Sequence, residues 1–329
     1  MSAGITGWGT ALPDRVLDNA ELAAKLGISE DWILERTGIH SRRIASESDS
    51  AASLAVRAGR AALERAGRVP DDLDMVIVAT STPNHQLPAT ASLVQNELGA
   101  GSAGAFDLNA ACAGFLVALA QASALVDSGM SESVLVCGAD LLSRVLDYTD
   151  KGSCILFGDG AGAVLVEKTT GDTRLGPFKI YSDGSKADLL RVPTGEPYMR
   201  MKGREVYRHA VAGMTASVRD ILSFAGMRVA DIDLLVAHQA NARIIEAVAA
   251  RLGLRAEQAM INISRLGNTS AASIPLALAE AFDSGKLKQD DFVVVTAFGA
   301  GFVWGAGIVR WGAPTERGRG LVTAGGARV

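Results

Sequence analysis

The sequence predicts an α/β protein built from two similar halves, and three observations carry that prediction. Short apolar runs rich in β-branched residues alternate with amphipathic stretches of helical period. Several of these units recur in the same order along the chain. With 329 residues, 48% of them hydrophobic, and 36 glycines, the chain can bury one large core or two fused ones.

The first strand candidate is Gly4-Ile5-Thr6-Gly7-Trp8, which has neither the positive flank nor the cleavage site of a secretion signal. No run approaches the length needed to span a bilayer, so no membrane role is expected. A formal charge of −4, without a long basic run, gives no sign of a nucleic-acid partner. Three cysteines are too few for a disulfide framework, and a reducing cytoplasm is the expected compartment.

The repeat is read element by element. Leu73-Asp74-Met75-Val76-Ile77-Val78-Ala79 matches Ile232-Asp233-Leu234-Leu235-Val236-Ala237, and each precedes a helix pattern stopping at Leu-Gly. Those stops are Leu98-Gly99 and Leu252-Gly253, where glycine suits a left-handed cap. Phe106-Asp107-Leu108-Asn109 and Ile261-Asn262-Ile263-Ser264, each read as a strand, lead into a second apolar helix. Strands Val134-Leu135-Val136 and Phe292-Val293-Val294-Val295 follow, and the units close on Gly160–Val166 and Gly305–Val309. Continuous apolar strands between helices argue for mainly parallel sheets covered on both faces. The expected halves are residues 1–170 and 171–312, with a flexible basic tail over 313–329 that carries Arg317, Arg319 and Arg328.

Against this frame three polar residues fall at strand C-termini, where open α/β sheets bind ligands. Cys112, in Asn109-Ala110-Ala111-Cys112-Ala113-Gly114-Phe115, stands where a strand gives way to a helix. Unpaired N–H groups and the helix dipole there favour a thiolate and can accept an oxyanion. Cys137 and Cys154 lie inside apolar runs read as strands and fit plain core positions. Asn268, in Leu266-Gly267-Asn268-Thr269-Ser270, holds the matching turn of the second half, and His238 ends the buried strand before Gln239-Ala240-Asn241. Singly, such an asparagine is a helix cap and such a histidine a structural residue; the three together are not so easily dismissed. His40 and His85 fall in loops and His209 in a helix, which gives them weaker claims. Gly299-Ala300-Gly301-Phe302 supplies backbone able to approach a ligand closely, but no phosphate-binding glycine motif precedes a helix.

These motifs resemble the β-ketoacyl-acyl carrier protein synthase III family of thiolase-superfamily condensing enzymes, over about Gly4 to Trp311. Its further markers are Trp32 with Arg36-Thr37-Gly38-Ile39, Phe157-Gly158-Asp159-Gly160-Ala161-Gly162-Ala163, and Phe298-Gly299-Ala300-Gly301-Phe302. The resemblance implies a duplicated thiolase-like fold, a five-layered α-β-α-β-α sandwich, assembled as a homodimer. It implies decarboxylative condensation of an acyl-CoA primer with malonyl-acyl carrier protein through an acyl group on Cys112, starting fatty-acid or polyketide chains. No metal or other cofactor is implied.

By the same resemblance the catalytic set is Cys112, His238 and Asn268, with the backbone N–H groups of Cys112 and Ala300 as oxyanion hole. Trp32, Arg36 and Lys151 would meet the nucleotide end of CoA, where Lys151 departs from the arginine often found. Tyr207, Ala240 and Asn241 would line the pantetheine channel. Leu87, reaching from a partner copy, and Leu142 would bound the acyl pocket. Lys202, Arg204, Arg208, Arg243 and Arg251 form the expected docking spot for an acidic acyl carrier protein. A true thiolase needs a second cysteine late in the chain, and none follows Cys154. Two other readings remain: a same-fold acyltransferase acting on an alcohol or amine, and a non-catalytic partner subunit.

Overall fold

The computed structural model describes residues 2–169 and 173–312. The expected boundary at 170/171 and the tail from 313 onward lie outside the described residues. The chain opens with β1 (Ser2–Ala11), then a two-stranded ribbon of β2 (Arg15–Asp18) and β3 (Ser41–Ile44) enclosing α1 (Asn19–Leu26) and α2 (Glu30–Thr37). It continues through α3 (Ala51–Ala66), β4 (Met75–Ala79), α4 (Thr90–Leu98), β5 (Gly104–Leu108), α5 (Gly114–Asp127), β6 (Ser133–Leu141) and β7 (Asp159–Thr169). The first sheet has the order β1-β7-β6-β4-β5.

The second half begins with β8 (Arg174–Ser182) and a short ribbon of β9 (Leu190–Arg191) and β10 (Arg200–Met201). After it come α6 (Gly203–Ala225), β11 (Leu234–Ala237), α7 (Ala242–Leu252), α8 (Ile263–Leu266), α9 (Ser273–Asp283), β12 (Phe292–Gly299) and β13 (Val303–Arg310). The second sheet has the order β11-β12-β13-β8, which repeats β4-β6-β7-β1. The directions repeat too: β4–β6 and β11–β12 are parallel, and the next two pairings in each sheet are antiparallel. Gly99 and Gly253, at φ 78° and 79°, cap α4 and α7 in the left-handed conformation that the sequence required.

The layers follow from strand alternation. In β6 every residue is buried, so both of its faces must be covered. Leu135 and Cys137 face outward with Val76 and Val78, under α3 and α4. Val134 and Val136 face inward against Phe115, Leu116 and Leu119 of α5. The same central cluster holds Ile274 and Leu278 of α9 and Val236, Val293 and Val295 of the second sheet, whose outer face packs under α6 and α7. The result is the five-layered α-β-α-β-α arrangement. Each fully buried leucine, valine or phenylalanine of this core contributes about 1.5–3 kcal/mol, and α5 and α9 gain it on both flanks.

Three expectations change. The sheets are mixed rather than mainly parallel: two of four pairings in the first and one of three in the second are parallel. Residues 300–302 between β12 and β13 are too few for a crossover, so that pair can only be a hairpin. Cys154 lies in a turn, where Asp150 accepts from the N–H groups of Gly152 and Cys154 and from the Ser153 hydroxyl; it is nonetheless a core residue. No strand forms over 261–264; a single bridge, Leu235 to Ala259, marks the equivalent of β5. The Gln239 side chain replaces the missing ladder, accepting from the N–H groups of Asn262 and Ile263 and donating to the Ala237 and Met260 carbonyls.

Gly138 of β6 is where the first sheet meets the turn before α9, since a Cβ there would lie 2.3 Å from the Ala271 carbonyl oxygen. Gly138→Ala should therefore destabilise the protein by about 1–3 kcal/mol. Urea unfolding checks this, and an unchanged midpoint would mean that the turn yields freely.

Candidate active site

Cys112 owes its place to an unusual turn. After β5, Asn109 Oδ1 accepts the Ala111 N–H at 3.0 Å, and Ala111 adopts φ 47°, uncommon for a residue other than glycine. One 3₁₀ turn over Ala111–Ala113 then runs into α5. Neither Ala110 nor Ala113 offers a capping side chain, so beyond the Ala111 N–H no side-chain cap serves this helix start. Gly299 closes in from β12: a Cβ there would come within 2.9 Å of the Cys112 N, the Ala113 N and the Ala110 carbonyl oxygen. Ala300, half-buried, follows at once.

The thiol is nevertheless not poised as a thiolate. Burial pushes it up to about 12; the Ser270 hydroxyl, 3.3 Å from Sγ, opposes that rise, and the nearby Asp140 charge adds to it. The helix start is present as expected, but desolvation outweighs it.

His238 follows β11, buried, with its N–H on the Thr296 carbonyl. Its Nδ1 lies 2.7 Å from Ser273 Oγ at the start of α9, and that oxygen also accepts the Gln239 N–H. The serine keeps its O–H to donate to Nδ1, and that pairing would put the ring hydrogen on Nε2. Burial holds the ring down to about 3, so it is neutral at physiological pH. Asn268 sits between α8 and α9, pinned by a bridge to Phe157, with its N–H on the Leu156 carbonyl. Its Oδ1 accepts the Ser270 N–H at 2.9 Å, which leaves the amide NH₂ to donate elsewhere.

Cys112, His238 and Asn268 meet in one cavity of about 880 Å³, with Phe157, Met214 and Phe298 beside them. Trp32, Arg36, Lys151, Tyr207, Ala240, Asn241, Arg204, Arg208 and Arg243 line the same cavity. The Trp32 indole is flanked by two cations, Arg36 at 4.1 Å and Lys151 at 5.6 Å from the ring centroid. Arg243 lies 5.8 Å from the Tyr207 ring centroid. Asn241 also caps α7 and donates to the Arg36 carbonyl, so it ties α2 to α7 as well as lining the space.

The structure does not bring every expected residue here. Leu142 is buried and packed with Leu146 against Phe157, and it is not among the lining residues. Leu87 is 88% exposed, on the loop before α4. Arg251 is exposed at the far end of α7, Lys202 is exposed just before α6, and Ala300 is not among the lining residues.

Two family models, 3-oxoacyl-[acyl-carrier-protein] synthase III and its C-terminal counterpart, match residues 106–184 and 222–311. A β-ketoacyl-[acyl-carrier-protein] synthase III of Erythrobacter litoralis is 46% identical over 320 residues, covering 94% of this chain and 100% of that one. The chain belongs to this family. It is an enzyme with the thiolase fold of the condensing enzymes. The crystal structure of 3-oxoacyl-[acyl-carrier-protein] synthase III from Aquifex aeolicus superposes with a TM-score of 0.92 at 43% identity, covering 94% of this chain and 100% of that one. The priming β-ketosynthase of the R1128 polyketide pathway gives 0.91 at 36% identity, with 95% and 97% covered.

Sequence reasoning missed Ser270, Ser273 and Asp140. Asp140, fully buried at the end of β6, accepts from the Ser81 N–H, from the Thr80, Ser81 and Thr82 hydroxyls, and from the Ala271 N–H. An aspartate inside the apolar run Val134–Leu142 was a signal that could have been read. No cluster of three or more His, Cys, Asp or Glu that could hold a metal ion occurs among the described residues.

The raised thiol has a direct consequence. Below a pKa of about 12 the thiolate fraction grows tenfold per pH unit, so iodoacetamide labelling of Cys112 in the free enzyme should climb steadily from pH 6 to 9. Mass spectrometry of the labelled protein reads the rate, and levelling off near neutrality would mean that the helix start outweighs burial.

Proposed function

We propose that Cys112, His238 and Asn268 divide between them the two half-reactions of this condensing enzyme, which joins an acyl-CoA primer to malonyl-acyl carrier protein. The observation that carries the reading is their convergence in a single cavity that is also lined by Trp32, with the cations of Arg36 and Lys151 over its ring. In the first half-reaction Sγ of Cys112 attacks the acyl-CoA thioester, and the thiol proton ends on the departing CoA sulfur. The N–H groups of Cys112 and Ala300 hold the oxyanion, as the close approach of Gly299 supports.

In the second half-reaction the carboxylate of the malonyl thioester leaves as carbon dioxide, and its bond electrons become an enolate. That step needs donors on the thioester oxygen rather than a base. Neutral His238, through Nε2, and the amide NH₂ of Asn268 suit it, each worth about 2.7–4 kcal/mol. The carbanion attacks the acyl-cysteine, the C–S bond breaks toward Sγ, and solvent returns the proton. Written so, the reaction balances without a metal or prosthetic group. An acyltransferase acting on an alcohol or amine would have no use for the second donor.

Trp32, Arg36 and Lys151 would grip the CoA nucleotide by stacking and charge, with lysine offering a point charge in place of a planar guanidinium. Tyr207, Ala240 and Asn241 would guide the pantetheine arm, since all three line the cavity. Arg208, Arg243 and Arg251, with Lys202 and Arg204, would meet the acidic carrier protein; all five are exposed. We further propose that the chain is two fused halves, that it works as a cytoplasmic homodimer, and that Leu87 closes the partner's acyl pocket against Leu142. The exposed edge strand β5, with Phe106 38% exposed, and the 88% exposure of Leu87 support the dimer. No helix among the described residues is long and apolar enough to cross a membrane.

Cys112→Ala should abolish acyl loading with the fold intact, as intact-mass spectrometry would report. His238→Ala and Asn268→Ala should each slow malonyl decarboxylation by about 10²–10³, and acyl transfer from CoA far less. Single-turnover timing of each half-reaction checks this, and equal losses in both would contradict the division of labour.

Leu87→Phe should narrow the acyl pocket and shift kcat/KM toward acetyl-CoA over isobutyryl-CoA. The shift should be graded, because a methylene in such a pocket is worth about 1–3 kcal/mol. An unchanged ratio would remove Leu87 from the pocket.

A further inference from the structure

We infer that Ser270 is a further catalytic residue, whose hydroxyl donates to the Cys112 sulfur whenever that sulfur carries developing negative charge. The inference rests on the reading of Cys112 as the nucleophile and assigns its sulfur a dedicated donor.

The geometry is direct. Ser270 is buried, and its Oγ lies 3.3 Å from Sγ across the junction of the two halves. The hydroxyl is held there by a backbone with little freedom to move. Ser270 adopts φ 52°, its N–H is taken by Asn268 Oδ1 at 2.9 Å, and the next N–H, that of Ala271, is taken by Asp140 Oδ2 at 3.1 Å.

The molecule contains its own control for the alternative that the serine merely shapes a turn. The first half builds the same turn, with Asn109 Oδ1 on the Ala111 N–H, φ 47° at Ala111, and a 3₁₀ turn running into the central helix α5. The second half repeats it with Asn268, Ser270 and the 3₁₀ turn Ser270–Ala272 running into α9. At the equivalent position the first half has alanine, so the backbone does not require a hydroxyl. What distinguishes Ser270 is what its hydroxyl faces: the Cys112 sulfur at 3.3 Å, with the Asp140 carboxylate as the other acceptor to which its one proton can turn.

Such a donor acts in both half-reactions. As Cys112 attacks, its S–H bond breaks while the C–S bond forms, and the proton ends on the CoA thiol that leaves. As the condensation product leaves, the C–S electron pair returns to Sγ before solvent reprotonates it. In each case the sulfur passes through an anionic form inside a buried site, and a neutral O–H donor stabilises that form without adding a charge.

The test uses two deletions of the hydroxyl. Ser270→Gly suits the left-handed backbone, and Ser270→Ala copies Ala111. In both, iodoacetamide labelling of Cys112 at pH 8 should fall about tenfold, as expected for losing one hydrogen bond to an anion. The single-turnover rate of acyl loading should fall with it, while the acyl-CoA concentration giving half-maximal rate stays put, because the cavity walls are unchanged. Labelling within twofold of wild type in a variant with wild-type Tm would overturn the inference. Labelling needs no substrate, so it judges Ser270 even if wild-type enzyme formed no acyl-cysteine, which would instead overturn the assignment of Cys112.

Discussion

The site depends on one buried carboxylate. Asp140 ends β6 in the middle of the first sheet, where an isolated charge would be untenable. Its Oδ1 gathers the Thr80–Thr82 turn, and its Oδ2 holds the Ala271 N–H of the second half. Burial raises its pKa, while the donors from Ser81 and Ala271, and the Ser270 hydroxyl when it turns away from the sulfur, pull it back down. The carboxylate thus fixes the turn after β4 and the turn before α9 to the strand that lies between them. Gly138, two residues upstream, lets that turn come close enough for the bond to form. Ser270 is on the turn so held, so its contact with Cys112 follows from it, and Asn268, two residues earlier, lines the same cavity.

A second constraint sets the electrostatics. Burial drives the Cys112 thiol up to about 12 and the His238 imidazole down to about 3. Both therefore rest neutral, as thiol and imidazole, rather than as an ion pair. An imidazolium beside the sulfur would stabilise a thiolate in the resting enzyme, and lowering the ground state as well as the transition state gains little rate. Neutral donors interact most strongly with charge that appears during the reaction, on the enolate oxygen or on sulfur. Fixed dipoles in a buried site need no reorganisation at that moment.

Much of this was legible in the sequence because the repeat made it so. Matching apolar runs located the strands, Leu-Gly located two helix ends, and the order of units put Cys112, His238 and Asn268 at comparable turns. Strand direction was harder, although the three residues between β12 and β13 already excluded a crossover there. The strand expected at 261–264 failed because a side chain, Gln239, took over the hydrogen bonds of a ladder. Ser270, Ser273 and Asp140 were not legible as site residues, since each acts through a partner far away in sequence: Cys112, His238 and the Thr80–Thr82 turn. Such pairings exist only after the two halves pack.

The repeat also shows how one backbone plan yields unlike roles. Position by position, Asn109 answers to Asn268, Ala111 to Ser270, and Cys112 to Ala271. Both asparagines spend their side-chain oxygen on the same turn, yet Asn109 is exposed and Asn268 buried beside the cavity, so the proposed donor role falls to the latter alone. With the roles proposed above, the nucleophile would come from one half and its hydrogen-bonding partners from the other. The deep central layer formed by α5 and α9 is therefore more than a shared core: burying those two helices against each other and both sheets brings the halves' turns within hydrogen-bond distance, as the contact of Ser270 with Cys112 records.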